Sequence, residues 1–444
     1  MVKKKVVRRK VSKLQAAKMI QSDPVKLRKA TAGSMASLMQ AMVEKDGGIA
    51  TTVADAWRFL IGVPLPAFSA EYLFDNMVLP LEKIIGIRGL PKTKKSGLSF
   101  EIYRWVNTFC GGVGTLVEHE SKFHPSWAAS IIGYQEVASL GYVEAGSVDD
   151  WQSKLQHVYE LIKKQMVGTK TEPGYGTGYP FVGIVDSIMG KSTLETQLKV
   201  TRMGSVTRNF PAEALNIRNF MMAFPQKMVG WPFLLILVNH NKPKKDDRGF
   251  TIDSVPGGYA PMFQLSFDIK VTAGANISTK RVKGTTLKLQ MVYNSYGQDR
   301  RVVPVDCIWQ TDEIEDPISH AKYRQRTTWN WHKATVELLL HTLSDAGEAK
   351  DVCKKIGLVA ASRTKCYCPA LGVPKTAPVS YSDMGARIKK SRETMDLLRM
   401  TFGIKQCKVF RPAVDFMEQK KALNMSHVDD LYNLSGEEDE TSED

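Results

Sequence analysis

Short apolar runs alternate with stretches of helical periodicity along most of this chain. The apolar, strand-like runs occupy residues 81–87, 114–118, 180–186, 231–239, 262–272, 286–293 and 301–309. Apolar residues recur at helical spacing over residues 98–109, 151–166 and 210–229. Strands that alternate with helices predict an α/β fold with a mostly parallel sheet.

The pattern changes toward both ends of the chain. Residues 12–46 show helical spacing of apolar side chains, which predicts an N-terminal helical segment. From about residue 311 the pattern becomes helical and irregular, which predicts a separate, mainly helical C-terminal domain. The predicted division is a basic arm and helical segment at 1–50, a core at 51–310, a C-terminal domain at 311–434 and an acidic tail at 435–444.

Charge is distributed unevenly along the 444 residues, whose net charge is +15. Residues 1–29 contain eleven lysines and arginines and one acidic residue, whereas residues 435–444 contain six acidic residues and no basic one. A strongly basic chain favours a polyanionic partner, with nucleic acid as the first candidate. The two ends are interpreted either as a DNA-attracting arm and a tail that competes with DNA, or as solvated extensions.

Cysteine usage and hydropathy argue against several classes of protein. The six cysteines are irregularly spaced, which does not suggest a disulfide framework, and Cys366 and Cys368 lack the second ligand pair of a zinc site. No apolar run reaches the roughly 18 residues that span a membrane, and no apolar secretion segment follows the basic N-terminal residues. We therefore expect a cytoplasmic protein with reduced thiols and no membrane partner.

A lysine-rich loop joins the first of these strands to the first of these helices. It begins at Gly89 and ends at Lys95 and Ser96, the layout of a P-loop in which the lysine reaches the β- and γ-phosphates and the hydroxyl coordinates Mg²⁺. The phosphates would lie at the positive end of the helix. Lys94 replaces the usual second glycine, so a solvated basic turn is an equal alternative for this loop on its own. The candidate nucleotide-binding residues of the loop are Gly89, Lys92, Lys94, Lys95, Ser96 and Gly97.

Acidic and polar residues close three further strands. Glu118 and Glu120 lie at the end of the second strand, Asp186 closes the third as in a Walker B motif, and Asn239 and His240 close the fourth. Ligands bind at the carboxyl ends of the strands in sheets of this kind, and Asp186 would hold Mg²⁺ there through water. Asp186 could instead cap a helix, and His240 could be a turn residue. Their order after a P-loop nevertheless predicts a nucleoside triphosphate hydrolase.

The ordered set of motifs resembles the RecA-family recombinases. It comprises the P-loop, the Glu-x-Glu, Asp-Ser and Asn-His strand ends, a long loop and Pro256-Gly257-Gly258. The likeness covers roughly residues 67–309 and is greatest to the phage UvsX-type strand-exchange proteins, which also lack the second P-loop glycine and close the fourth strand with a histidine. The resemblance implies a RecA-like P-loop ATPase core that binds ATP and Mg²⁺.

The resemblance also implies roles for individual residues. Glu120 falls at the position of the glutamate that activates water, with Glu118 as the alternative. Trp127 matches an aromatic residue that stacks on adenine, and His240 matches the residue that senses the γ-phosphate. The implied catalytic residues are Glu120, Lys95 and His240, and the implied Mg²⁺ ligands are Ser96 and Asp186.

Two loops would face DNA in a protein of this family, at about residues 190–210 and at 241–258. Basic side chains would neutralise phosphates, and an apolar side chain would part stacked bases. An exposed charged loop is the plainer interpretation of the second loop. The candidate DNA-binding residues are Arg202, Met203, Arg208, Lys242, Lys244, Lys245, Arg248 and Phe250, with Ile252 as an alternative to Phe250.

One departure from the family concerns catalysis across subunits. Residues 292–296 lack the two lysines with which RecA reaches the neighbouring subunit's nucleotide. The candidate substitutes are Arg300, Arg301, Lys280, Arg281 and Lys283.

The expected function is ATP-dependent homologous pairing and strand exchange in recombination and repair, by helical filaments on single-stranded DNA. Residues 12–46 would dock on the next protomer, and double-stranded DNA would be the second substrate. Single-strand-binding and mediator proteins would be candidate partners, and a phage-encoded protein would act in the bacterial host cytoplasm. The alternatives are a RecA-fold hexameric DNA helicase and a non-hydrolysing DNA-binding scaffold with a relict nucleotide site.

Overall fold

The computed structural model describes residues within one compact unit, Leu60–Lys420. The described residues are 60–167, 178–188, 192–193, 197–198, 201, 210–245, 251–254, 264–279, 282–312, 324–343, 347–412, 414–416 and 418–419. The predicted N-terminal segment at 1–50 and the acidic tail at 435–444 lie outside these residues. The predicted DNA-binding residues outside them are Arg202, Met203, Arg208, Arg248 and Phe250.

Four sheets are built from the β-strands of the described part of the chain. In chain order these strands are β1 (Ile61–Pro64), β2 (Val78–Pro80), β3 (Lys83–Gly89), β4 (Val113–Glu118), β5 (Leu140–Glu144), β6 (Phe181–Asp186), β7 (Phe233–His240), β8 (Lys242–Lys245), β9 (Thr251–Ser254), β10 (Phe267–Ser278), β11 (Lys283–Asn294), β12 (Val302–Asp312), β13 (Arg324–Trp329), β14 (Val359–Ala360), β15 (Lys365–Tyr367), β16 (Val379–Ser380) and β17 (Lys408–Val409). Nine of them form the central sheet in the order β13-β12-β11-β10-β3-β7-β6-β4-β5. The smaller sheets are β17-β1-β2, β14-β15-β16 and the hairpin β8-β9.

The α-helices of the described residues begin and end at recognisable local signals. They are α1 (Phe68–Phe74), α2 (Lys95–Cys110), α3 (Pro125–Ile132), α4 (Val148–Val167), α5 (Phe210–Met228), α6 (Trp331–Glu337), α7 (Gly347–Ile356), α8 (Tyr381–Lys390) and α9 (Arg392–Thr401). Gly111 ends α2 in the left-handed conformation, and Pro125 opens α3 at a position where its missing N–H is harmless. Ser380 and Ser391 cap α8 and α9 by accepting backbone N–H bonds. None of the described helices has both the length and the apolar character that crossing a bilayer requires.

The central sheet is parallel on one side and antiparallel on the other. Strands β10, β3, β7, β6, β4 and β5 run parallel to their neighbours, whereas β10 to β13 form an antiparallel meander. Residues 233–238 of β7 are apolar and buried throughout, as expected for a parallel strand covered on both faces. The prediction of an α/β fold with a mostly parallel sheet is therefore confirmed.

Strand register brings the predicted site residues to one edge of the sheet. Gly89 at the end of β3 pairs with His240 at the end of β7, and Glu118 at the end of β4 pairs with Asp186 at the end of β6. Because all four strands are parallel, their carboxyl ends meet at this edge. The lysine-rich loop, residues 89–96, starts from the same edge and leads into α2.

A core of buried apolar side chains holds α4 and α5 against the parallel strands. Trp151 of α4 contacts Phe220 of α5 edge-on, with ring centroids 5.0 Å apart. Phe224 of α5 packs in the same manner on Phe233 of β7, at 5.8 Å. All four rings belong to one buried cluster that includes residues of β3, β4, β6 and β7. The core therefore fixes the strands whose ends carry the candidate chemistry.

The predicted boundary at residue 311 does not separate two compact units. It falls within β12, which pairs with β13 to extend the central sheet. Phe68 of α1 also belongs to the core cluster formed by the helices after residue 330. The fully buried Glu71 binds Lys389 and Arg399 at 2.7 and 2.8 Å, so early and late parts of the chain share one interior.

Candidate functional site

The lysine-rich loop adopts a backbone conformation typical of a glycine at a position where the sequence has a lysine. An ideal Cβ on Gly89 would lie 2.3 Å from the carbonyl oxygen of Val271, so only glycine fits at the start of the loop. Lys94, which replaces the expected glycine, adopts the left-handed conformation with φ 64° and ψ 28°. This conformation disfavours a non-glycine residue by about 1–2 kcal/mol. The glycine-type geometry is thus retained although the glycine itself is absent.

Lys95 lies folded into this loop rather than extended into solvent. The residue is only 5% exposed, and its Nζ donates to the carbonyl oxygen of Leu90 at 2.8 Å. Burial lowers the pKa of Lys95, while the nearby charges of Asp186 and Glu120 oppose that change. The ammonium is therefore close to both carboxylates, at the N-terminus of the 16-residue helix α2.

Ser96 and Asp186, the predicted Mg²⁺ ligands, lie together. Their side chains are hydrogen-bonded, and loss of water around the carboxyl raises the pKa of Asp186 to about 6. A hydroxyl and a carboxylate are oxygen ligands of the kind that Mg²⁺ prefers. No group of three or more His, Cys, Asp or Glu side chains suited to a metal occurs among the described residues. The pair therefore fits a magnesium ion that takes its other ligands from phosphate and water.

Glu120 faces the same edge of the sheet and is held by three polar side chains. Its Oε1 lies 2.5 Å from Nε2 of His240 and accepts a hydrogen bond of 2.7 Å from the hydroxyl of Ser187. Its Oε2 accepts from Nζ of Lys122 at 3.2 Å. The hydrogen bond with His240 is the main cause that lowers the pKa of Glu120, so this carboxylate stays ionised at neutral pH.

Glu118, the alternative candidate, is committed to the backbone. It is 4% exposed, and its carboxylate accepts N–H bonds from Glu120, Ser121 and Lys122 at 2.9, 2.7 and 3.1 Å. These bonds hold the turn that follows β4. Glu118 therefore shapes the turn, whereas Glu120 presents its carboxylate to the site.

A cavity of about 330 Å³ lies beside the start of α2. We call it the tryptophan cavity, since its walls include Trp127 of α3, Trp309 of β12 and Trp329 of β13. Lys94 and Gly97 also line it, and Nζ of Lys94 lies 4.9 Å from the ring centroid of Trp309. Trp127 therefore does lie next to the lysine-rich loop, at a wall of an aromatic cavity.

Three residues of this region were not among the predicted site residues. Ser187 follows Asp186 directly, and the Asp-Ser pair was the only signal for it. Trp309 and Trp329 lie 182 and 202 positions after Trp127, and no motif relates them. They come together because β12 and β13 extend the sheet beside α3.

The structure separates the candidates for a basic residue that acts across subunits. Arg301 is 5% exposed and binds Asp75 at 2.8 Å, with further bonds to the carbonyl oxygens of Tyr72 and Phe402. It is therefore committed to the interior. Arg300 and Lys283 are exposed, whereas Lys280 and Arg281 lie outside the described residues.

The remaining candidates are the lysines that follow β7 and the two cysteines of the C-terminal part of the chain. Lys242, Lys244 and Lys245 belong to β8, which pairs with β9 directly after the end of β7. Cys366 of β15 and Cys368, which follows that strand, are free and buried, and burial raises the pKa of Cys366 to about 12 and also raises the pKa of Cys368. They are therefore protonated thiols at neutral pH.

Comparisons with known proteins add no family to these observations. No protein-family model matches the chain. A search of curated proteins finds no significant match.

Proposed function

We propose that the chain is an ATP-dependent DNA strand-exchange protein of the RecA type, which hydrolyses ATP at the edge of its parallel sheet. The observation that carries the proposal is the convergence of Lys95, the Ser96–Asp186 pair and the Glu120–His240 pair at one set of strand ends. A cation for phosphates, oxygen ligands for a metal and an ionised carboxylate are the parts that phosphoryl transfer to water needs.

Lys95 would act by exchanging its hydrogen bond to the backbone for one to a phosphate oxygen. In the structure its ammonium is bonded to the carbonyl oxygen of Leu90, which a triphosphate would replace as the acceptor. The β- and γ-phosphate oxygens carry charge, so the exchange gives a stronger, charge-assisted bond. Ser96 and Asp186 would hold Mg²⁺, which supplies neutralisation of the developing phosphate charge when bound.

Glu120 would orient the water that attacks the γ-phosphate. Its low pKa makes it an acceptor throughout the neutral range, and His240 and Ser187 hold the carboxylate in one orientation. A fixed acceptor near the phosphate end of the site can position water without a further conformational change.

His240 would pass the state of the site to a DNA-binding loop. It lies at the end of β7, and Asn241 alone separates it from β8. Movement of His240 when a γ-phosphate engages Glu120 would therefore be transmitted directly to the predicted loop at 241–258. The net charge of +15 supports a polyanion such as DNA as the partner of that loop.

The adenine base would lie in the tryptophan cavity. The cavity adjoins the first turn of α2 through Gly97, where a side chain would meet Trp127 and Trp329 at 3.7 and 3.4 Å. Aromatic walls suit a flat base, and the phosphate chain would then extend toward Lys95.

The proposal is tested by measuring ATP hydrolysis with and without single-stranded DNA, together with electron microscopy in the presence of a slowly hydrolysed ATP analogue. We expect hydrolysis that DNA stimulates, and helical filaments on the DNA. Lys95→Ala is the matched control and should show neither nucleotide-dependent result. Closed rings would favour a helicase, and DNA binding without hydrolysis would favour a scaffold; either outcome would overturn the proposal.

A further inference from the structure

Lys94 occupies a position that links the lysine-rich loop to the tryptophan cavity. Its backbone lies in the loop, as the residue that caps α2 and precedes Lys95. Its ammonium lies 4.9 Å from the ring centroid of Trp309, and both residues line the tryptophan cavity. One side chain therefore reaches from the candidate phosphate site to the candidate base site.

Within the described part of the chain, the ammonium of Lys94 contacts the ring of Trp309. Among the described residues, none forms an ion pair with Lys94. A lysine ammonium within about 6 Å of an indole centroid is attracted by the face of the ring. This attraction is weak, so a charged partner can replace it. The flexible four-carbon stem of lysine allows the ammonium to move to that partner.

A base and the ammonium compete for the same ring face. Aromatic rings stack with their centroids about 4.5–7 Å apart, the range in which the ammonium lies over Trp309. Because both Lys94 and Trp309 line the cavity, a base that stacks on the face of Trp309 covered by Lys94 must displace the ammonium. The displaced ammonium then needs an anion within reach of the loop. Among the described residues, no carboxylate forms an ion pair with Lys94.

We propose that Lys94 is a specificity-determining residue that makes the tryptophan cavity accept nucleotides in preference to free nucleosides. A phosphate chain in the lysine-rich loop draws the ammonium away from Trp309 and frees the ring for the base. A nucleoside brings no such anion and must break the contact between Lys94 and Trp309 without replacement. This inference rests on the proposed nucleotide site and adds a coupling between its two halves.

The coupling predicts that removal of the Lys94 side chain changes the affinities for adenosine and for ATP in opposite directions. Lys94→Gly suits the left-handed backbone, so the loop should keep its shape. Without the ammonium, adenosine should bind about 2- to 30-fold more tightly, the range that a contact of this kind represents. ATP should bind more weakly, because one cation for its phosphates is lost.

The test is isothermal titration of the full chain with adenosine and with Mg·ATP, for the wild type and four variants. Lys94→Gly is the main variant, and Lys94→Arg keeps a cation and should restore the wild-type preference. Lys163→Met is the matched control: Nζ of Lys163 lies 5.1 Å from the ring centroid of Trp231, a contact of the same kind, but Lys163 belongs to α4 and does not line the tryptophan cavity. It should leave adenosine affinity at the wild-type value.

The Lys94 and Lys95 variants distinguish failure of this inference from failure of the proposed function. If Lys94→Gly fails to tighten adenosine binding, or shifts both ligands in the same direction, the role of Lys94 is refuted. Adenosine binding that is undetectable in Lys94→Gly, while ATP still binds, refutes it equally. If the fourth variant, Lys95→Ala, leaves ATP affinity unchanged, the phosphate site itself is wrong and the proposed function falls with it.

Discussion

Glu118 and Glu120 allow a sharp test, because the same substitution at two positions in one turn should have opposite effects. The structure commits Glu118 to three backbone N–H groups and leaves Glu120 facing the site. Glu118→Gln should therefore destabilise the protein, whereas Glu120→Gln should slow ATP hydrolysis. Both changes keep the size of the side chain and remove one negative charge.

The loss of stability in Glu118→Gln can be worked out from its contacts. One oxygen accepts from the N–H groups of Glu120 and Lys122, and the other accepts from Ser121 at 2.7 Å. Glutamine has one acceptor oxygen, so its NH₂ group must face at least one of these N–H donors. A hydrogen bond to a charged group contributes about 1.5–3 kcal/mol, and we expect a fall of that size in the free energy of unfolding.

Glu120→Gln should behave in the reverse manner. Its amide oxygen can take the position of Oε1 and accept from both Ser187 and Nε2 of His240, so the free energy of unfolding should change by less than about 1 kcal/mol. Removal of a group that activates water should lower kcat by about 10²- to 10⁴-fold while ATP and DNA still bind, so filaments should persist longer.

Urea denaturation and single-turnover ATP hydrolysis with single-stranded DNA measure the two effects separately. The reasoning is refuted if Glu118→Gln loses hydrolysis with an unchanged denaturation midpoint while Glu120→Gln hydrolyses ATP normally. That result would move the role to Glu118.

Three further predictions follow from the site, the interior and the chain ends. Lys95→Ala should abolish ATP hydrolysis, and wild-type turnover in a steady-state assay would show that the loop is wrongly interpreted. Arg301→Met should lower the free energy of unfolding, measured by urea denaturation, by about 3–5 kcal/mol, since it leaves the buried carboxylate of Asp75 without its ion-pair partner. The control Arg300→Met, at an exposed neighbouring position, should change it by less than about 0.5 kcal/mol. Deletion of residues 435–444 should speed binding of double-stranded DNA, most visibly at low salt, whereas deletion of residues 1–10 should weaken binding and flatten its salt dependence. Binding measured across a salt series would contradict the last prediction if the tail deletion weakens binding or if neither deletion alters the salt slope.

The sequence by itself determined the class of fold and most of the strand ends. Strand and helix periods depend on which side chains are buried, and that pattern is local. The order of strands predicted the parallel part of the sheet, and residues such as Asp186 and His240 could be assigned to strand ends because they directly follow apolar runs. Parallel pairing then places those ends at one edge, which the register of β3, β4, β6 and β7 confirms.

Tertiary structure alone decided the orientation of neighbouring side chains. The resemblance favoured Glu120 and left Glu118 as the alternative, but the strand-end pattern alone does not separate them. The path of the turn after β4 directs one carboxylate to backbone N–H groups and the other to His240. Likewise, Arg300 and Arg301 are adjacent in the chain, yet one is exposed and the other binds Asp75 in the interior. Such differences depend on which distant elements pack on each side, and a single sequence does not record that packing.

Tertiary structure also assembled what lies far apart in the chain. The tryptophan cavity joins α3 to β12 and β13, across the predicted domain boundary at residue 311. The left-handed backbone of Lys94 is a further case, since its residue type argues against the glycine-like shape that the loop adopts. Long-range pairing in the sheet brings the walls of the cavity together. Local sequence therefore determined the elements and the order of their ends, and the three-dimensional packing decided which side chains meet there.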